Sequence, residues 1–124
     1  MTPKLAWLGD DFTGSAAVME VLAFAGLKTV LFSDIPSEAL AAHFAEADAV
    51  GIATTSRGHG PDWMRAHLPA PLAWLDATGA EILHYKVCST FDSSPTSGNI
   101  GAAIALCLAQ RPADAVPLVT AAPQ

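Results

Sequence analysis

"KLAWLGDDFTGSAAVMEVLAFAGLKTVLF", residues 4–32, holds a strand, a turn, a helix and a second strand in that order. Residues 4–9 are apolar on both alternating faces, residues 13–26 carry apolar side chains at helical spacing up to Gly26, and residues 28–32 return to a short apolar run. A strand that is apolar on both faces has to be covered on both, which is the situation of a strand inside a parallel sheet. The turn of this unit sets two carboxylates, Asp10 and Asp11, side by side. Like charges in adjacent positions must be hydrated or paired, so the doublet needs a reason beyond composition.

Outward from this unit the same alternation continues. Residues 49–54 (AVGIAT), 81–87 (EILHYKV) and 115–119 (AVPLV) read as strands, and residues 37–47, 62–78 and 98–110 have helical periodicity, with Gly79 where a helix ends. Pro61, Pro69 and Pro71 crowd the third helical region, so its main helix is predicted to begin late, near residues 70–74, after a turn or short helix. The right-handed crossover rule folds this order into an α/β, three-layer, Rossmann-like sandwich with a mostly parallel sheet of about five strands.

The 124 residues, 52% of them hydrophobic, suffice for one core, and one domain over residues 1–124 is expected. A net charge of −6, with only six dispersed Lys and Arg residues, argues against nucleic acid or an anionic membrane as partner. No stretch approaches a membrane span and the N-terminal residues do not read as a secretory leader, so a cytoplasmic location is expected. Cys88 and Cys107 form no CxxC, and His43, His59, His67 and His84 are scattered without ligand spacing, so neither a structural disulfide nor a metal site is predicted. The last residues run from an apparent strand straight into the terminus, which reads as a fragment of a longer chain.

In sheets of this kind ligands bind beyond the carboxyl ends of the strands. Three polar, glycine-bearing loops fall on that edge: "DDFTG" (10–14), "TTSRGHG" (54–60) and "KVCSTFDSSPTSGNIG" (86–101). Arg57 and Lys86 stand there, two of six cations, and suit capture of a carboxylate or phosphate; equally, each is explained as a solvated loop side chain. Ser89, Thr90, Asp92, Ser93, Ser94, Thr96 and Ser97 could bond a polyhydroxylated ligand or serve an ordinary loop in which Ser97 caps the next helix. No GKS or GKT and no GxGxxG spacing is present. For "GDDFTG", helix capping accounts for one carboxylate, while hydroxyl binding, a general base or a hydrated magnesium are the functional readings. His59, His84 and the tryptophans read as lesser candidates or packing residues.

Together "DDFTG" (10–14), "TTSRG" (54–58) and "YKVCSTFDSSPTSGNIG" (85–101) resemble the N-terminal, sugar-acid-binding domain of the four-carbon acid sugar kinase family. The resemblance implies an ATP-dependent kinase that phosphorylates a hydroxyl of a tetronic acid such as threonate, erythronate or an oxo-tetronate. It also implies ATP and Mg2+ bound mainly by a C-terminal domain of the same protein that this sequence does not include. Many relatives read K-x-D-S-T where this chain has Lys86-Val87-Cys88-Ser89-Thr90, so it resembles the branch carrying "CSTFDS", and Asp92 is the candidate replacement for the missing carboxylate.

On that reading Arg57 and Lys86 hold the substrate carboxylate or the transferred phosphate, and Asp10 and Asp11 bind hydroxyls, with Asp11 the narrow choice for a base. Ser89, Thr90 and Asp92 complete the hydroxyl contacts. The partners expected are a small-molecule sugar acid and the protein's own C-terminal domain, with a homo-oligomer left open. Two rivals remain at this level: a non-catalytic sugar-acid-binding module, and a receiver-like signalling domain, which would need an Asp at the end of strand three where this chain has "GIATTSRG".

Overall fold

The computed structural model describes residues 2–88, 91 and 93–119. Strands β1 (Leu5–Gly9), β2 (Thr29–Phe32), β3 (Ala49–Ala53) and β4 (Ile82–Lys86) form a four-stranded sheet in the order β2-β3-β1-β4, every pairing parallel. The chain leaves β1 for the far edge at β2, comes back to β3, and crosses to β4 on the other side of β1. Among the described residues five α-helices accompany the strands: α1 (Phe12–Phe24), α2 (Glu38–His43), α3 (Pro61–His67), α4 (Pro69–Ala77) and α5 (Ile100–Gln110).

Alternation along the strands divides the two faces. Ala6, Leu8, Val30, Phe32, Val50 and Ile52 point one way and build the core with Met64, Leu68, Leu72 and Leu75 of the α3–α4 region. Phe32 also meets Phe44 and Trp74 edge to face, at ring centroid distances of 5.8 and 6.1 Å, so the end of α2 lies on this side. Trp7 points the other way, wholly buried, and its indole lies over Gly51, its register partner on β3. Helix α1 covers this second face: Ser15, also wholly buried, sits directly against Gly9. Apolar residues surround α1 on all sides, and Phe12, Val21 and Phe24 stand exposed on it.

The predicted α/β sandwich is present, with one correction. The strand expected at residues 115–119 is not formed: the segment has no regular structure, and Val116, Leu118 and Val119 are exposed, because apolar content alone gives a strand no partner. The third helical region divides as expected, the longer helix α4 opening at Pro69 after the short helix α3, and each of two prolines opens its own helix. Pro61 and Pro69 occupy first-turn positions of α3 and α4, where a missing N–H costs nothing, and the chain breaks between them at Leu68. Gly26 and Gly79 do end helices, with φ of 92° and 80° in the left-handed region that favours glycine.

At its far end the sandwich is tied by Asp76, which accepts from Arg111 Nε at 2.7 Å and Gln110 Nε2 at 2.9 Å, joining α4 to the end of α5. These two bonds, Gln110 first, hold the Asp76 carboxyl below its ordinary range. Among the described residues no helix is long and apolar enough to cross a membrane.

A methyl group at position 51 would overlap the Trp7 indole, and neither the buried ring nor the central strand can retreat. Gly51→Ala is therefore expected to cost about 2–3 kcal/mol of unfolding free energy, measured by chemical denaturation. A loss under about 0.5 kcal/mol would contradict the packing described.

Candidate functional site

The exit of β1 is hydrogen-bonded on both sides beyond the end of the strand. Asp10 N–H donates to the Lys86 carbonyl at 2.9 Å on the β4 side, and the Gly9 carbonyl receives Thr54 N–H at 2.9 Å and Thr54 Oγ1 at 2.7 Å on the β3 side. The Asp10 carbonyl then accepts from Arg57 N–H at 2.9 Å. Three loops are thereby pinned to one another at the carboxyl edge of the sheet.

The two adjacent carboxylates have different surroundings. Asp11 is the N-cap of α1 in extended conformation: its Oδ1 accepts Gly14 N–H at 2.7 Å, and its Oδ2 pairs with Arg57 Nη1 at 3.2 Å. Asp10 is only 6% exposed. Its Oδ2 accepts Cys88 N–H at 3.2 Å, while Oδ1 is buried and meets no donor among the described residues. Burial pushes the Asp10 carboxyl above its ordinary value; the Asp11 charge adds to this, and the Cys88 N–H, Lys86 and Arg57 oppose it.

Lys86 ends β4 with its Nζ on the Val87 carbonyl at 2.6 Å, and its stem lies along the first turn of α1. Gly14 leaves room for the Asp11 cap, since a Cβ there would come within 2.8 Å of Asp11 Oδ1, while Lys86 Nζ at 3.6 Å would be in ordinary contact. Asp10, Asp11, Arg57 and Lys86, scattered over 77 positions from Asp10 to Lys86, thus share one corner of the sheet edge. Ser89, Thr90 and Asp92 lie outside the described residues.

The rest of the hydroxyl-rich loop organises itself. Ser94 Oγ accepts Ser97 N–H at 2.9 Å and Thr96 N–H at 3.2 Å, and Ser93 Oγ accepts Ile100 N–H at 2.9 Å. Ser97 is not the helix cap: Asn99 caps α5, its Oδ1 accepting Ala102 N–H at 2.9 Å, and Ser97 Oγ instead reaches back to the Arg57 carbonyl at 3.2 Å. Gly98 N–H on the His59 carbonyl, at 2.8 Å, closes the two loops against each other. His59 stacks on Trp63 at 3.9 Å between ring centroids, which occupies one face of each ring. His84 is exposed on the edge strand β4.

Residues that sequence reading passed over support this corner. Ser56, wholly buried in the 3₁₀ turn Ser56–Gly58, lies with its Oγ 2.8 Å from Tyr85 Oη and 3.1 Å from Thr54 Oγ1. The signal available in sequence was slight: Tyr85 is the one tyrosine of the chain and immediately precedes Lys86. Among the described residues no three His, Cys, Asp or Glu side chains group as a metal site.

Residues 5–124 match the family model of the sugar-binding N-terminal domain. The chain is 50% identical over 120 residues to 3-oxo-isoapionate kinase of Paraburkholderia graminis, covering 97% of this chain and 26% of that protein. It is 42% identical over 99 residues to 3-oxo-tetronate kinase of Pseudomonas fluorescens, covering 80% of this chain and 23% of that protein. Its fold matches a crystal structure from Salmonella typhimurium LT2, provisionally designated a tRNA synthase, with a TM-score of 0.71 and 30% identity over 85% of this chain and 24% of that one. The chain thus spans about a quarter of the length of these relatives.

Asp10 burdens the fold. Because its folded value lies above the ordinary 3.8, the folded state holds the proton more tightly than the unfolded one, and stability falls as pH rises through the interval between the two values. Asp10→Asn is expected to melt above the parent at pH 7, with the difference closing below pH 3.8. Thermal melts across pH check this; a variant that melts lower at pH 7 would remove the carboxylate's proposed cost.

Proposed function

We propose that this chain, which belongs to the sugar-binding N-terminal domains of the four-carbon acid sugar kinase family, binds the acceptor of an ATP-dependent kinase acting on a 3-oxo sugar acid. The substrate class follows what is common to the two relatives' names, each a 3-oxo sugar acid. The observation that carries the reading is the buried Oδ1 of Asp10, which meets no donor among the described residues, beside two cations at the carboxyl edge of the sheet.

A sugar acid offers a hydroxyl donor for Asp10 Oδ1, which meets none among the described residues, and a carboxylate that Arg57 and Lys86 can share. Burial raises the proton affinity of Asp10 and so suits it to accept a hydroxyl proton. Asp11, to which the sequence pattern points as a base, has an oxygen on Gly14 N–H and another on Arg57, and we assign it to orienting the guanidinium. Arg57, with a planar fork of donors, takes the substrate carboxylate, and Lys86, a mobile point charge, takes a phosphate or carboxylate oxygen. Ser89, Thr90 and Asp92 remain proposed hydroxyl contacts.

ATP supplies the phosphoryl group when the complete kinase acts, and Mg2+ accompanies it. The described residues of this chain do not fit that cargo: they include no metal cluster, and the sequence has no Walker-type loop. The chain's own contribution is to bind, orient and neutralise the acceptor, with the nucleotide held by a further domain of the same protein.

Calorimetry of this chain against threonate, erythronate and their 3-oxo forms tests the reading. Binding is expected with preference for a 3-oxo acid, and Arg57→Ala is expected to weaken it at least about tenfold, the loss of a charge-assisted contact. If no sugar acid binds the parent chain, the proposal fails.

A further inference from the structure

Tyr85 and Ser56 come from opposite sides of β1. β4 carries the tyrosine, β3 leads into the 3₁₀ turn that carries the serine, and β1 lies between them. The 2.8 Å contact between their hydroxyls therefore spans the central strand beneath the corner where Asp10 and Arg57 meet. From Ser56 the bonds continue: its Oγ receives Thr54 Oγ1 at 3.1 Å, its N–H reaches Thr54 Oγ1 at 3.2 Å, and Thr54 Oγ1 also bonds the Gly9 carbonyl at 2.7 Å. The next residue after Ser56 is Arg57, whose N–H is fixed on the Asp10 carbonyl and whose guanidinium meets Asp11.

We propose that Tyr85 is a positioning residue: through Ser56 it sets the 3₁₀ turn over β1 so that the Arg57 guanidinium stands against the acid pair. The inference rests on the sugar-acid reading for its consequence in binding and on geometry alone for its mechanical part. A buried serine hydroxyl without its phenol partner would lose one of its two side-chain hydrogen bonds, and the turn would be free to shift by the small amounts that displace a side-chain tip. Packing alone does not require the phenolic oxygen, since a phenylalanine ring would fill the same space. Burial pushes the Tyr85 hydroxyl above its ordinary value, so it stays protonated, and either hydroxyl of the pair can donate.

Tyr85→Phe removes the oxygen and keeps the ring. Amide exchange of Arg57 is expected to accelerate about tenfold in this variant, the loss of one buried hydrogen bond, while amides of Leu8 and Ile52 in the sheet keep their rates. Affinity for the 3-oxo sugar acid is expected to fall about five- to tenfold, and Tyr85→Phe added to Arg57→Ala is expected to cost nothing more. Ser56→Ala breaks the relay at its other end and should give the same local acceleration.

Unchanged Arg57 exchange in both variants overturns the proposal. So does an affinity loss of equal size with and without Arg57, or loss of the cooperative melt in both variants, which would make the pair a support of the whole fold. If the parent chain binds no sugar acid, the functional reading of the site fails, and the exchange rates alone decide the relay.

Discussion

The molecule turns on β1 being paired on both sides, and on that pairing continuing past the end of the strand. A parallel strand between two parallel neighbours must offer small or flat surfaces where the sheet is covered; Trp7 over Gly51 and Gly9 under Ser15 are two places where this chain does so. Once β1 is held there, its last carbonyls and the Asp10 peptide still have hydrogen-bonding capacity, and the loops after β3 and β4 take it up. The candidate site is a continuation of the sheet's hydrogen bonding into its loops.

That origin explains the unequal acid pair. Adjacent residues at the end of a strand point to opposite sides, so one carboxylate turns outward to cap α1 and meet Arg57, and the other turns inward beneath the loops. A capping aspartate supports the fold. An inward one, with a buried oxygen that meets no donor among the described residues, opposes it. A strained or costly group at a ligand-facing edge is the pattern in which stability is given up for binding.

Much of the architecture was legible because burial writes itself into periodicity. Four apolar runs became the four strands and the helical segments became helices, with Gly26 and Gly79 marking ends through their positive φ. Misreadings arose where local sequence allows two outcomes. Ser97 and Asn99 are both good caps, and Ser97 was drawn instead to the Arg57 carbonyl by the neighbouring loop. Residues 115–119 have the composition of a strand, yet a strand is a relation to a partner, and composition does not supply one. Pro61 and Pro69, by contrast, marked the interruption that divides α3 from α4, because a proline is tolerated only in a helix's first turn.

By itself the sequence determined the alternating α/β order, the parallel sheet and the placing of Asp10, Asp11, Arg57 and Lys86 on one edge, because strand direction in a parallel sheet sends every such loop to the same end. Only the tertiary structure decided which acid is buried, that Arg57 faces Asp11, and that Tyr85 reaches Ser56 across β1. Those facts depend on which strands become neighbours, here β2-β3-β1-β4, and on distances between residues far apart in the chain. Periodicity carries no record of either, since it reports which face a residue occupies and not what stands opposite.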